Sequence, residues 1–189
     1  NIRTYMKLLP IKYKQPTDSS DARCALYALC NLFDDGGFLL YNNVGESTSH
    51  NREVEILRKY AEVSESVKRL EVKTIYPHAI TPHDMPLQYS EAFNVSEHTG
   101  YYVPVLIDFA SANPEIYHTV LALWGDVDCI VIDSKKDFPE PMKHTDVFKK
   151  VNIHGFRMLT AGEPDSSGEI QICQFSPEQL PHIFDVNEN

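Results

Sequence analysis

Three apolar runs in the middle of the chain constrain the fold most: YYVPVLIDFA from Tyr101, IYHTVLALWG from Ile116 and VDCIVIDS from Val127. Each is rich in β-branched and aromatic residues, and turn residues separate them at Ser111 to Pro114 and at Gly125-Asp126. Such a series predicts neighbouring antiparallel strands. The second and third runs read as a hairpin around Gly125-Asp126. His118 and Asp133 are then nearly equidistant from the turn and face each other across the sheet.

A second stretch, QPTDSSDARCALYALCNLF from Gln15 to Phe33, predicts a helix with a thiol in its opening turn. Leu26, Leu29, Cys30 and Phe33 fall at i, i+3, i+4 and i+7, the stripe of a helix packed on a core. Asp18, Ser19, Ser20 and Asp21 are all suited to cap it. With Ser20 or Asp21 as the cap, Cys24 lies three or four residues inside the helix. There the unpaired first-turn amides and the helix dipole favour a thiolate, and Arg23 adds positive charge. Cys30, on the apolar stripe, reads as core. Asp34-Asp35-Gly36-Gly37 ends the helix, with a glycine expected at the C′ position.

The chain has 189 residues, 42% hydrophobic and 23% charged, which fits one globular domain with a proper core. A net charge of −10 argues against a nucleic-acid surface, and Lys149-Lys150 is too small a basic patch to change that. No run reaches the 18 or so apolar residues of a membrane-spanning helix, and NIRTYMKLLP lacks the apolar core of a signal peptide. Residue 1 is Asn rather than Met, so a shortened or processed form is expected. Cytoplasmic residence and export into another cell, with a targeting segment missing, both remain open. Cys24, Cys30, Cys129 and Cys173 form no CxxC pair and no disulfide framework, which fits a reducing compartment. The oligomeric state is not readable.

Elsewhere the pattern is less specific. Residues 1–14 read as an extended lead-in. Residues 52–70 read as an amphipathic helix capped by Ser47 or Ser49, its charged face solvated. Residues 71–100 carry Pro77, Pro82 and Pro86 and read as irregular, with His78, His83 and His98 as loop histidines rather than a zinc site. Pro139 and Pro141 mark a loop, VFKKVNIHGFRML and GEIQICQF supply further helix or strand pieces, and FSPEQLPHIFD reads as a loosely docked tail.

The chemistry-bearing residues combine into one pattern. A carboxylate opposite an imidazole holds Nδ1–H, fixes the tautomer and leaves Nε2 for a thiol. Cys24 on an early helix, followed by His118 and Asp133 on later strands, supplies these groups in order. With Gln15 upstream, the set resembles the papain-like cysteine peptidase superfamily, its small C39-like branch more than papain itself. The similarity spans roughly residues 15–135. It implies an α+β fold in which an N-terminal helix carrying the nucleophile packs against an antiparallel sheet. The division would be a helical half at 15–70, a sheet half at 101–175 and an extension at 176–189.

The resemblance also implies that Cys24 is the nucleophile, His118 the base, Asp133 its orienter and Gln15 a donor to the oxyanion beside the Cys24 backbone N–H. No metal or cofactor is called for. The implied activity is hydrolysis of an amide in a protein or peptide, with 71–100 as the specificity loop and Tyr101 and Tyr102 near the cleft, whereas Trp124 reads as buried packing more than as cleft lining. Deamidation of glutamine, acyl transfer and non-catalytic binding of a protein partner stay open at this point.

Overall fold

The computed structural model describes residues 7–63, 75–78, 100–110, 117–150, 153–161 and 171–186. The elements in chain order are β1 (Lys7–Leu8), α1 (Cys24–Phe33), α2 (His50–Val63), β2 (Ile75–His78), β3 (Val103–Ala110), β4 (Tyr117–Trp124), β5 (Cys129–Ile132), β6 (Glu140–Met142), α3 (His144–Lys150), β7 (Ile153–Ala161), β8 (Gln171–Ile172) and β9 (Phe184–Asp185). Among the described residues, one sheet of seven strands runs β2-β7-β3-β4-β5-β6 with β8 beside β7. Every pairing in it is antiparallel. The fold is α+β, and the three central runs are β3, β4 and β5 in the expected hairpin order.

Alternation along the central strands gives the sheet two buried faces. Leu106, Leu121, Leu123, Ile130, Ile132 and Leu159 join the residues of α1 and α2 in one core. Val105, Ile107, Val120, Ala122, Trp124 and Met158 join Val147 of α3 in the other. The helix that opens on Cys24 lies so deep that Ala25 to Phe33 are all buried, rather than one stripe. Asn31 is 3% exposed, and its carboxamide bonds both the N–H and the C=O of Tyr13 at 3.0 Å. It therefore fastens the lead-in to α1 as a strand neighbour would. The lead-in also takes backbone bonds from residues beyond β5, Ile11 N–H to Asp137 C=O and Gln15 N–H to Ser134 C=O, both 2.9 Å.

Several expectations need correction. Asp34, not a glycine, takes the left-handed position after α1, at φ 54°. An Asp can occupy this region because its short side chain bonds locally, and here Lys12 and Tyr13 both donate to it. The Pro139–Pro141 region is not simply a loop, since Glu140–Met142 pairs with β5 at the sheet edge, where a proline's missing N–H faces no partner strand. The C-terminal segment is firmly packed rather than loosely docked. β9 pairs with β1, and Leu180, Ile183 and Phe184 enter the core of α1. The second helix begins at His50, with Ser49 Oγ accepting the Arg52 N–H at 3.2 Å, and is described to Val63. Residues 64–70, and with them the end of the expected helix, lie outside the described residues, as does most of 71–100.

No helix among the described residues is long and apolar enough to cross a membrane.

Candidate active site

The site forms where β5 leaves β4. Their register pairs Leu123 with Ile130 and Leu121 with Ile132, and continuing it would set Thr119 against Ser134. The pairing stops at Ile132 because Ser134 is drawn to the lead-in. Its carbonyl accepts from Gln15 N–H, and its hydroxyl donates to Gln15 Oε1, both at 2.9 Å. The edge of β4 is thereby left with an open slot at Thr119, and Cys24 fills it. Thr119 N–H donates to Cys24 Sγ at 3.3 Å, and the sulfur lies 4.0 Å from the Tyr117 carbonyl. A strand amide fixed in direction by the sheet thus points at the thiol.

His118 lies between those two contacts. Its Nε2 meets Asp133 Oδ1 at 2.8 Å, and the same carboxylate oxygen accepts the Lys135 N–H at 3.0 Å, which holds it in the turn after β5. Asp133 is opposite Val120 in the continued register, so the pair is diagonal rather than direct. The ring is also reversed from the expectation. Asp133 takes Nε2, so the nitrogen left for the Cys24 thiol is Nδ1. Phe109, the cross-strand neighbour of His118, packs edge-on to the ring at 5.2 Å and an interplanar angle of 87°.

The electrostatics favour an ion pair. Burial works against a charged imidazole, but Asp133 and the Cys24 thiolate outweigh it and raise His118 to about 9. Burial likewise opposes the thiolate, yet hydrogen bonds from His118 and Thr119 hold Cys24 below the ordinary thiol value. For Asp133, too, burial raises the pKa while His118 lowers it further, leaving a carboxylate below its usual range. The other three cysteines differ: burial pushes Cys30 and Cys173 to about 12 and Cys129 well above its usual value. All four are free.

The approach to α1 differs from the sequence reading. Cys24 is the first helical residue, with Arg23 at the N-cap position and no side-chain cap. Asp21 is engaged elsewhere, accepting from the Arg23 N–H and guanidinium and from the Tyr27 hydroxyl. Arg23 is consequently paired with Asp21 and with the Leu39 carbonyl. Gln15 is 4% exposed, and its Nε2 donates to the Asp21 carbonyl at 2.6 Å while Oε1 accepts from Ser134. One carboxamide thus ties the segment before Cys24 to the segment after Asp133. Its second Nε2 hydrogen is the one donor it has left for an oxyanion.

A buried charge cluster behind Thr119 is absent from the sequence reading. Thr119 Oγ1 donates to Asp108 Oδ1 at 2.6 Å; Asp108 Oδ2 accepts from Arg157 and lies 2.9 Å from His50 Nε2. Arg157, fully buried, also binds Glu53 Oε1 at 2.9 Å. Burial pushes Glu53 up to about 7, whereas for Asp108 the raising effect of burial is overcome by His50, Arg157 and Thr119. Gly155 is required beneath the cluster, since a Cβ there would lie 2.7 Å from Asp108 Oδ2. Glu53 also corrects the view that the charged side chains of α2 are simply solvated. The available signals were an Asp inside VPVLIDFA and an Arg inside HGFRML, charges within apolar strand runs that need buried partners.

Trp124 is core, as the packing reading expects; of the two tyrosines expected near the cleft, Tyr102 is also core, while Tyr101 is 41% exposed. His83, His98 and most of the expected specificity loop lie outside the described residues; within it Ile75–His78 is not irregular but forms β2, paired with β7, so His78 is a strand residue rather than a loop histidine. Among the described residues no group of three or more His, Cys, Asp or Glu is placed to hold a metal ion. Comparisons with protein-family models, with curated proteins and with solved structures find no match, so the functional reading rests on this geometry.

Proposed function

We propose that the chain is a cysteine-dependent amide hydrolase, a peptidase or isopeptidase of papain-like design. The observation that carries the reading is a thiol receiving the Thr119 amide at 3.3 Å beside an imidazole tied to Asp133 at 2.8 Å. In the resting enzyme the proton sits on His118 and the charge on Cys24. The thiolate attacks the carbonyl carbon, and the oxyanion is taken by the Cys24 N–H, a first-turn amide with no intrahelical acceptor. Gln15 contributes its remaining amide hydrogen. His118 gives its Nδ1 proton to the leaving nitrogen as the C–N bond breaks, leaving a thioester on Cys24. Nδ1 then takes a proton from water, whose oxygen attacks the thioester and releases the acid and the thiolate. Asp133 holds Nε2–H throughout. An amine in place of water would give acyl transfer from the same intermediate.

The reading is tested with p-nitrophenyl acetate. In acid-quenched samples at most one acetyl group per chain is expected by mass spectrometry, on Cys24 and not on Cys30, Cys129 or Cys173, with p-nitrophenol release continuing beyond one equivalent as water clears the thioester and with neither in Cys24→Ala. Equal acetylation or turnover in the variant, or neither adduct nor turnover in the wild type, would remove the proposal.

A further inference from the structure

A cavity of about 130 Å³ lies beside the His118–Asp133 pair, walled mainly by apolar side chains including Val131 and Met142, with Asp133 itself in the wall and Cys24 outside it. Two of its lining residues, Phe109 and Asp133, also contact the His118 ring. Phe138, 60% exposed, stands among the lining residues together with Lys136 and the exposed Glu140, so an apolar ring and charges of both signs border the space on the solvent side. An apolar cavity of about 150 Å³ accommodates a benzene ring, so this one fits a side chain the size of Leu, Met or Phe.

The chemistry of the proposed reaction says which part of a substrate comes here. The leaving nitrogen takes its proton from His118, so the segment that departs must lie on the imidazole side of the sulfur. The cavity borders that imidazole through Phe109 and Asp133. We infer that it is a specificity subsite for a bulky apolar residue in the leaving-group segment, within the first residues carboxy-terminal to the scissile amide. This inference rests on the hydrolase reading above and adds a substrate class to it: polypeptides with an apolar side chain just after the bond cut. An apolar group seated in such a pocket is worth about 10-fold to 200-fold in selectivity.

The test uses the leaving-group mimic L-phenylalaninamide, with glycinamide as the side-chain-free control, followed by the methyl resonance of Met142 in the full chain. Saturable displacement by L-phenylalaninamide and none by glycinamide is expected. Val131→Phe, which fills the cavity, should abolish the effect. Phe138→Ala, at an exposed position where the fold is not at risk, should weaken binding about 10-fold. Equal responses to the two amides, no response to either, or an unchanged response in both variants would overturn the inference. Acetylation of Cys24 by p-nitrophenyl acetate does not need the cavity, so the two readings fail separately. Acetylation without Met142 displacement removes only the subsite, whereas displacement without acetylation removes the leaving-group assignment together with the hydrolase.

Discussion

His118→Ala is expected to slow acetylation of Cys24 by p-nitrophenyl acetate at pH 6 by about a hundredfold or more. An ordinary thiol with a pKa near 8.5 is only about 0.3% ionised at pH 6. Burial of Cys24 pushes its pKa higher still, and the bonds from His118 and Thr119 are what reverse that. Without the imidazole, burial opposes the charge and only the Thr119 amide remains to support it. Asp133→Asn should give a smaller loss, since the ring keeps its place but loses the carboxylate that raises it toward about 9. The rate of adduct formation at fixed reagent concentration measures both.

The second large effect lies away from the sulfur. Arg157→Met is expected to cost about 3–5 kcal/mol of stability, because it strands two buried carboxylates without their cation. For a chain of this size that lowers the melting temperature by roughly 6–20 °C. Arg157 is fully buried between Glu53 and Asp108, and no partner among the described residues satisfies Arg157 Nε or Glu53 Oε2. The cluster is therefore held together by charge rather than by complete hydrogen bonding. Replacing all three groups, as Glu53→Gln, Asp108→Asn and Arg157→Met together, should recover most of the loss, because it removes the uncompensated charges along with the arginine. Calorimetry of the single and triple variants makes the comparison. A single variant as stable as the wild type would contradict the description of the cluster.

The two effects meet at Thr119, whose N–H reaches the sulfur while its hydroxyl reaches Asp108. This junction explains what was legible in the sequence. The strand order and the approach of His118 to Asp133 follow from local pattern: two apolar runs of matched length around Gly125-Asp126. Cys24 at a helix start was legible from the polar residues before it. The diagonal offset, the use of Nε2 by Asp133 and the open slot at Thr119 were not, because each depends on where β5 ends. That end is set by the Ser134 contact with Gln15, 119 positions away in the chain. The tail was misjudged for a related reason. Two prolines in SPEQLP suggest looseness locally, while Leu180, Ile183 and Phe184 find their apolar partners on an element near the other terminus. Glu53 was hidden because on a helix it looks like any solvated acid until its partner, 104 positions later, is known.

The imidazole's raised pKa also sets a pH window. A histidine whose folded value, about 9, exceeds its ordinary value near 6.5 contributes stability fully below the latter and loses it as pH rises through the former. The lowered thiol bounds the ion pair on the acid side, since its contribution disappears as pH falls through the folded value. Between these limits Cys24 should be a thiolate facing an imidazolium. The direct measurement is the rate of Cys24 alkylation by iodoacetamide as a function of pH, in the wild type and in His118→Ala. The wild type should begin to react at lower pH than the variant and show a second inflection at about 9 as His118 loses its proton, with that inflection absent from the variant. A single inflection at or above the ordinary thiol value, superimposable for the two proteins, would mean that Cys24 and His118 do not form the pair.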